Sequence, residues 1–435
     1  MPSDRLDHEP PAAGYRVRHG APLRTGWRRI RAVSPLAFAP VPAGLLLLLL
    51  VLPAHRTAGR EDGGALLVAD SVALVSLGLT ALLALSWLAL TAYAAAVARD
   101  PVPMTPEPGT RVAFLAAYVP GREPLSAVRA TLEGAVRMRH PGPLDVWLLD
   151  EGDDPEARML CAELGVHHFT RLGVPEWNTQ DGPHRAGREH GNLNAWIAKH
   201  GDAYDFTASV DTAHIPLPGF LERAMGYFRD PDTAFVVGPS VRGDQDFHAL
   251  VQHAGNRYGT PVLAGPGSVV RITALRQAGG FQGPAAREPV TGFEIHRHRN
   301  PLTGRHWRSV HTPDVPAVGQ DAGPLEDRSG GALLRRYGTA LFRVPPGRLL
   351  SYTLVLVHRP VAAVTWLLAV LSCLSAAVHP AARPWAVTAL VIVLAPAAAR
   401  SFALPRARRV AKGRAPVVRP VQDTDHALAG PAGGS

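Results

Sequence analysis

The stretch DFTASVDTAHIP, residues 205–216, decides the fold prediction. Its first half is a short apolar and β-branched run, which is typical of a buried strand, and Asp211 follows it directly. Pro216 then bounds a turn. In open α/β sheets, ligands bind beyond the carboxyl ends of the strands. The sequence therefore places Asp211 where binding or catalysis usually occurs.

Strands and helices alternate in the region that precedes this stretch. Strands are predicted at 112–119, 144–149 and 166–169, and helices at 125–138 and 154–164. This alternation is typical of an α/β domain with a parallel sheet and crossover helices. Two strands end in an acid, Asp150 and Asp211, so both carboxylates are expected at one sheet edge, where they suit a nucleotide and a divalent cation. A plain turn or N-cap role for Asp150 is the alternative.

Apolar residues are concentrated near the two ends of the chain. Only 19% of the 435 residues are charged, below the roughly 25% of soluble proteins. A membrane-spanning helix needs about 20 apolar residues. Four such helices are predicted, at 36–54, 74–97, 360–379 and 384–404. The alternative is that these segments are buried helices of a large soluble core.

Basic residues flank the predicted spans. The net charge is +9, with arginines at 24–31 before the first span and Arg and Lys at 406–414 after the last. The positive-inside rule then places both termini and the central domain in the cytoplasm of a multi-pass membrane protein. The basic flanks are expected to contact anionic membrane lipids. No interleaved aromatic and basic motif indicates nucleic acid, and the two cysteines support neither a disulfide framework nor a zinc site.

The segment GNLNAW, residues 191–196, is predicted to begin a helix. Asn192 and Asn194 near its N-terminus offer hydrogen bonds, and the helix dipole favours an anion there. His184 and His190 precede it, but their spacing matches no metal-ligand pattern. We expect them to be solvated loop histidines.

Four segments resemble, in order and spacing, family 2 glycosyltransferases of the membrane-embedded cellulose-synthase-like type. They are the turn at 118–123, VWLLDEGDDP at 146–155, HGNLNA at 190–195, and 211–231. The resemblance covers roughly residues 110–340. It implies a GT-A (Rossmann-like) cytoplasmic domain flanked by transmembrane helices, which transfers a sugar from a nucleotide-diphosphate sugar to a glycan or lipid acceptor with inversion.

The resemblance also implies roles for individual residues. It assigns Asp211 to a divalent cation, Mg²⁺ or Mn²⁺, and Glu294 to the general base. The substrate-binding residues that it implies are Tyr118, Glu123, Asp150, Asn192, Asn194, Arg336 and Tyr337. Arg336 would neutralise the leaving diphosphate, and Tyr337 would offer an aromatic platform. An interfacial helix whose arginines meet lipid headgroups is the alternative for this last pair.

The sequence departs from the family pattern at four elements. Ala213 replaces the second acid of the Asp-x-Asp metal motif, and Glu189 replaces a lysine that would meet phosphate. Phe293 stands at the position of the base, one residue before Glu294, and one residue rotates a helical side chain by about 100°. In the last element, LLRRY at residues 333–337, Leu333 replaces the family's glutamine. These departures favour a second hypothesis, a catalytically inactive relative that binds a glycan or serves as the partner subunit of a polysaccharide synthase.

The predicted organisation has five parts. They are a disordered basic tail at 1–35, two transmembrane helices within 36–98, a GT-A domain with an interfacial helix at 105–345, an interfacial segment with two transmembrane helices at 346–404, and a disordered basic tail at 405–435.

Overall fold

A seven-stranded mixed sheet forms the centre of the structure, a computed structural model. The structure describes residues 15–21, 98–210, 214–239, 245–265, 267–283 and 289–319, and parts of the segments 72–97 and 348–374. The sheet order is β3-β2-β1-β4-β7-β6-β8, and β5 and β9 form a separate pair. The strands are β1 Val112–Tyr118, β2 Leu144–Asp150, β3 His167–Phe169, β4 Phe206–Val210, β5 His214–Pro216, β6 Thr233–Val237, β7 Gly267–Arg271, β8 Arg308–His311 and β9 Ala317–Gly319.

The predicted α/β class is confirmed, but the prediction of a parallel sheet is wrong for one strand. Strand β7 runs antiparallel to both of its neighbours, β4 and β6. The cause is the route of the chain after β6. Because Gly267, the first residue of β7, pairs with Val210, the last residue of β4, the chain enters β7 at the carboxyl edge and must run back across the sheet.

Helices cover both faces of the sheet. In chain order they are α1 Leu125–Val136, α2 Pro155–Leu164, α3 Glu189–His200, α4 Phe220–Ala224, α5 Gln245–Asn256, α6 Ile272–Gln277 and α7 Pro289–Arg297. Side chains of a strand alternate between faces, and β1 shows this directly. Phe114 packs in one core with Leu132 of α1, whereas Leu115 packs in the other with Trp196 of α3. Burial on both faces explains why β1 reads as a continuous apolar run.

The predicted membrane spans lie largely outside the described residues. Segments 36–54 and 384–404 are wholly outside, whereas the described residues within 74–97 and 360–379 are helical. Over the part of the chain that the structure describes, no helix has both the length and the apolar character that crossing a membrane requires. The four spans therefore stay predictions.

Residues 15–21, which fall within the predicted disordered tail, contact the domain. His19 forms a β-bridge with Pro101, and the backbone N–H of Val17 donates to the Asp230 carboxylate at 3.0 Å. The Val17 contact lies beside the start of β6, because the Asp230 carbonyl closes the turn into that strand by accepting from the Thr233 N–H.

A buried polar network joins α7 to residues 348–352. Ser309 Oγ donates to the Pro261 carbonyl, so Nε2 of His296 must donate to Ser309 Oγ, at 3.0 Å. Nδ1 of the same ring then accepts from the Tyr352 hydroxyl. Arg348 also donates to the His296 carbonyl. The network fixes one neutral tautomer of His296.

This network and a second buried histidine predict acid sensitivity. Burial lowers the pKa of His296 and of His311 well below the ordinary 6.5. Below pH 6.5 the unfolded chain binds protons that the folded chain excludes, so the free energy of unfolding falls as pH falls. We expect a slope of about 1.4 kcal/mol per pH unit for each histidine well below pH 6.5, measured by urea unfolding between pH 4.5 and 7.5.

The matched comparison is His311→Phe against Phe281→Leu. His311→Phe removes one titrating group and is expected to flatten the slope. Phe281→Leu changes a buried side chain without a titratable group, so it should lower stability at every pH and keep the slope. Equal slopes in the wild type and in His311→Phe would contradict the assignment.

Candidate functional site

The candidate site lies at the carboxyl edge of the sheet, where β1, β2 and β4 end. Strand β1 pairs in parallel with β2 on one side and with β4 on the other. Tyr118 is in register with Asp150, and β4 ends at Val210. The expectation that the strands preceding Asp150 and Asp211 end at one edge is therefore confirmed. Residues 211–213 themselves lie outside the described residues.

Asp150 is fully buried, and its carboxylate is engaged by neighbouring groups. Oδ1 accepts from the Gly152 N–H at 2.9 Å, and Oδ2 accepts from the Asp154 N–H at 2.6 Å. Nε2 of His168 lies 3.1 Å from Oδ2. The two backbone bonds are typical of a turn residue, which is the alternative role predicted for Asp150. Together with the His168 contact, they occupy three of the roughly four acceptor positions of a carboxylate.

Tyr118 and Glu123 bracket a turn that packs on the Asp150 turn. The Tyr118 hydroxyl donates to Asp154 at 3.0 Å, and burial, followed by this hydrogen bond, raises the pKa of Tyr118 to about 12. Glu123 accepts from the Val119 N–H at 3.1 Å. A Cβ atom at Gly152 would lie 2.4 Å from the Pro120 ring, so glycine is required where the two turns meet.

Asn194 holds the turn that precedes α7. Its amide nitrogen donates to the carbonyls of Pro183 and Phe281, and its oxygen accepts from the Phe281 N–H at 2.8 Å. Gly280 has φ +88°, and an added Cβ would lie 2.4 Å from the Asn194 oxygen. The second asparagine of the GNLN segment therefore serves the internal structure of the domain.

Asn192 differs from Asn194 in its hydrogen bonding. Its side chain is buried, with 2% exposed, and Oδ1 has no hydrogen-bond partner among the described residues. A buried acceptor without a partner is costly, so each such atom in a native structure calls for an explanation. Of the predicted site residues that are described, Asn192 is the one whose buried oxygen is left for a ligand or a bound water.

His190 is not a solvated loop residue as expected. It is the second residue of α3 and only 8% exposed, and burial is the main cause that lowers its pKa. His184 is half-buried, and burial likewise lowers its pKa. The error arose because the loop before α3 folds back onto the domain instead of extending into solvent.

Glu294 is the sixth of the nine residues of α7, and 15% of its side chain is exposed. Phe293, one residue earlier, is 1% exposed, and its ring meets that of Tyr352 edge-on with centroids 4.9 Å apart. The Glu294 carboxylate accepts two bonds from Nη1 of Arg297, at 2.9 and 3.0 Å. The helix thus keeps Phe293 in the core, and the predicted base is ion-paired. Arg336 and Tyr337 lie outside the described residues.

The structure brings together one group of potential metal ligands that the sequence did not indicate. Asp150, Asp153 and His168 each place a ligand atom within 4.8 Å of the others. However, Arg158 pairs with both carboxylate oxygens of Asp153, and a hard ion such as Mg²⁺ prefers oxygen to imidazole nitrogen. An ion here would have to displace the guanidinium, so these residues as arranged do not fit Mg²⁺ or Mn²⁺. The metal role stays with Asp211 as a prediction.

Arg171 and Glu151 are further residues that the sequence did not single out. They form a buried ion pair beside Asp150. The one available signal was Glu151 itself, which directly follows the acid that ends β2. Arg171 lies in a loop of irregular sequence, and no pattern marks it.

Comparisons with known proteins place the sequence beside cellulose synthases. No family model matches. The chain is 31% identical over 263 residues to the UDP-forming cellulose synthase catalytic subunit of Xanthomonas axonopodis pv. citri (strain 306), which covers 55% of this chain and 32% of the relative. It is 28% identical over 206 residues to cellulose synthase 1 of Komagataeibacter xylinus, covering 42% and 12%. The chain thus spans a third or less of the length of these relatives.

The chain is also similar to solved structures, among them these two. Mannosyltransferase PcManGT from Pyrobaculum calidifontis, solved with GDP-Man and Mn²⁺, has a TM-score of 0.46 at 17% identity, covering 75% of this chain and 99% of that chain. Glucosyl-3-phosphoglycerate synthase from Mycobacterium tuberculosis has a TM-score of 0.35 at 14% identity, covering 54% and 80%. In sequence, the matched region of this chain is therefore similar to catalytic subunits of cellulose synthases.

Proposed function

We propose that this chain is a membrane-bound glycosyltransferase that moves a sugar, with inversion, from a nucleotide-diphosphate sugar to a glycan or lipid acceptor. The observation that carries the proposal is the shared carboxyl edge of β1, β2 and β4, which brings Tyr118 and Asp150 beside the strand that leads to Asp211. Ligands of α/β domains bind at such edges. The sequence relationship to cellulose synthases supports the same reaction class.

The donor nucleoside is assigned to the turns around Tyr118, Glu123 and Asp150. The remaining acceptor position on Asp150 receives an N–H or O–H of the nucleoside, and the buried Asn192 oxygen accepts a donor hydroxyl. Asp211 would hold Mg²⁺ or Mn²⁺, and Ala213 offers no second carboxylate to it. When bound, such an ion offsets the negative charge of the diphosphate.

Transfer requires a group that accepts the proton of the acceptor hydroxyl. As that oxygen forms its bond to the anomeric carbon, the bond from this carbon to the diphosphate breaks, and the proton passes to Glu294. Glu294 must first leave Arg297, which now occupies its carboxylate. Arg336 is assigned to the leaving diphosphate, and Tyr337 to the acceptor sugar as a stacking surface.

Membrane attachment is proposed through the four predicted spans. Two described segments support it: 72–97 and 363–374 carry most of the exposed large apolar side chains, among them Val75, Leu82, Leu367 and Leu374. Exposed apolar surface of this kind is typical of a membrane or protein contact. We place the domain and both termini on the cytoplasmic side, in contact with membrane lipids and with a possible synthase partner subunit.

The second candidate is a catalytically inactive relative that binds a glycan or a partner synthase. The Glu294–Arg297 ion pair favours it, because the predicted base is already neutralised by a cation on its own helix. Ala213 also favours the inactive relative, since one metal ligand is missing from the motif. The two candidates differ in whether donor binding leads to bond cleavage.

The metal assignment predicts opposite effects of two substitutions. Ala213→Asp restores a second acid and is expected to raise the affinity for Mn²⁺ in the presence of UDP by roughly tenfold, since charged ligands set the affinity of such sites. Asp211→Asn is expected to lower it by at least as much. Calorimetric titration of the full-length protein in lipid nanodiscs measures both.

The control is Asp202→Asn, an exposed acid near the start of β4, at the opposite edge of the sheet. It should leave Mn²⁺ affinity unchanged. Equal Mn²⁺ affinities for the wild type, Ala213→Asp and Asp211→Asn would contradict the metal site. If the wild type neither bound nor hydrolysed UDP-glucose or GDP-mannose, the proposed function would be wrong.

Glu294→Gln tests the base. The expected result is a fall in kcat by about 10²–10⁴, with the dissociation constant for the donor unchanged, because Glu294 acts on the acceptor hydroxyl. Initial rates of nucleotide-diphosphate release measure kcat. Glu222→Gln is the matched control, because Glu222 also pairs with an arginine, Arg139. Donor binding without any turnover in the wild type would favour the inactive relative.

A further inference from the structure

We propose that the buried ion pair between Glu151 and Arg171 is a positioning device. It fixes the loop at residues 177–188 against the carboxyl end of β2 and thereby sets the affinity for the donor nucleotide. This inference rests on the proposed function, because the nucleotide is the ligand whose site the loop borders. Neither residue needs to touch the nucleotide.

The guanidinium of Arg171 donates hydrogen bonds to backbone carbonyls along the loop. The side chain is 1% exposed, and each of its three nitrogens is hydrogen-bonded. Nη1 donates to the carbonyls of Trp177 and His184, at 2.7 and 3.1 Å, and Nη2 donates to those of Arg185 and Arg188, at 3.0 and 3.3 Å. One planar group therefore holds four loop carbonyls that span twelve residues of sequence.

Glu151 ties this group to the end of β2. Its carboxylate accepts hydrogen bonds from Nε and Nη2 of Arg171, at 3.0 and 2.5 Å. Oε1 also accepts from the Gly187 N–H at 3.0 Å, so the acid contacts the loop directly. Glu151 immediately follows Asp150, and its backbone N–H donates to the Tyr118 carbonyl. The loop is thus joined through two side chains to the residues assigned to the nucleoside.

The loop at residues 177–188 packs closely against the first turn of α3. Gly191 lies in the first turn of α3, and a Cβ there would lie 2.2 Å from the Arg185 carbonyl oxygen and 2.6 Å from Arg171 Nη1. The glycine of the GNLN segment leaves room for the loop that is held by the Glu151–Arg171 pair, which we call the clamp. Arg188 is the residue that caps α3, so the clamp also fixes where that helix begins.

The loop that the Glu151–Arg171 pair holds carries two arginines whose charges are available to an anionic ligand. The charge of Arg171 is balanced by Glu151, whereas the side chains of Arg185 and Arg188 are exposed in the same loop. A loop fixed before the ligand arrives spends no binding free energy on ordering itself. Release of the loop should therefore weaken nucleotide binding while the Tyr118 and Asp150 turns stay folded.

The test is Glu151→Gln, which keeps the shape of the side chain and removes its charge. Its matched control is Glu163→Gln, which breaks a two-bond pair of the same type with Arg129, at 2.6 and 2.7 Å, between α1 and α2. Two readouts are taken on the full-length protein in nanodiscs: the dissociation constant for UDP, and the rate of tryptic cleavage after Arg185 and Arg188. Far-ultraviolet circular dichroism verifies that each variant folds.

We expect Glu151→Gln to raise the UDP dissociation constant roughly ten- to a hundredfold, the range typical when a group that orients other ligand-binding groups is lost. Cleavage in the loop should accelerate to a similar extent, since it requires local opening. Arg171→Lys should behave in the same way, because an ammonium cannot reach four carbonyls and a carboxylate at once. Glu163→Gln should change neither readout.

Each other outcome has a distinct meaning. Unchanged loop cleavage in a folded Glu151→Gln variant would overturn the clamp. Faster cleavage with unchanged UDP affinity would overturn the link to the nucleotide and leave the proposed function intact. If the wild type bound neither UDP nor another nucleoside diphosphate, the proposed function and the donor link would both fail, while the cleavage rates would still decide whether the pair holds the loop.

Discussion

Parallel pairing of β1 with β2 on one side and β4 on the other is the constraint on which the candidate site depends. A strand buried on both faces and paired on both edges has little freedom to shift, because a slip of one residue would turn each side chain to the other face. The register then sets where its two neighbours end: Asp150 lies level with Tyr118, and Val210 follows Ser209, the partner of Leu115. This pairing brings together Asp150 and the segment after Val210, which are separated by some sixty residues of sequence.

Hydrogen bonds then occupy most of the polar groups that meet at this edge. Asp150, Glu123 and Asn194 bond to backbone groups of their own or neighbouring turns. Such bonds keep the edge in shape without a ligand, which reduces the entropy that binding would cost. They also mean that few acceptors are left, and the Asn192 oxygen is one that the described residues do not use.

The sequence predicted the class of fold and the shared edge at which the strands before Asp150 and Asp211 end, because both follow from local patterns. Apolar runs of strand length gave β1, β2 and β4 nearly residue by residue, and acids after two of them marked the edge. The direction of β7 was not predictable in this way, since it depends on the route of a long connection. The pairing of Glu294 with Arg297 and the burial of His190 were also missed, because each depends on which helix face or loop surface meets the core. Arg171 illustrates the same limit, for its role arises from four distant carbonyls.

The contact between Asn194 and Gly280 has a consequence for how such sequences are classified. The Phe281 N–H bond to Asn194 and the close approach of Gly280 tie the helix at 189–200 to the turn at 279–281, so each supports the other in this part of the fold. A descendant that had stopped transferring sugars would be under the same pressure to keep them. These contacts therefore report that the architecture is inherited, and evidence of chemistry has to be sought at the residues assigned to it, Asp211 and Glu294.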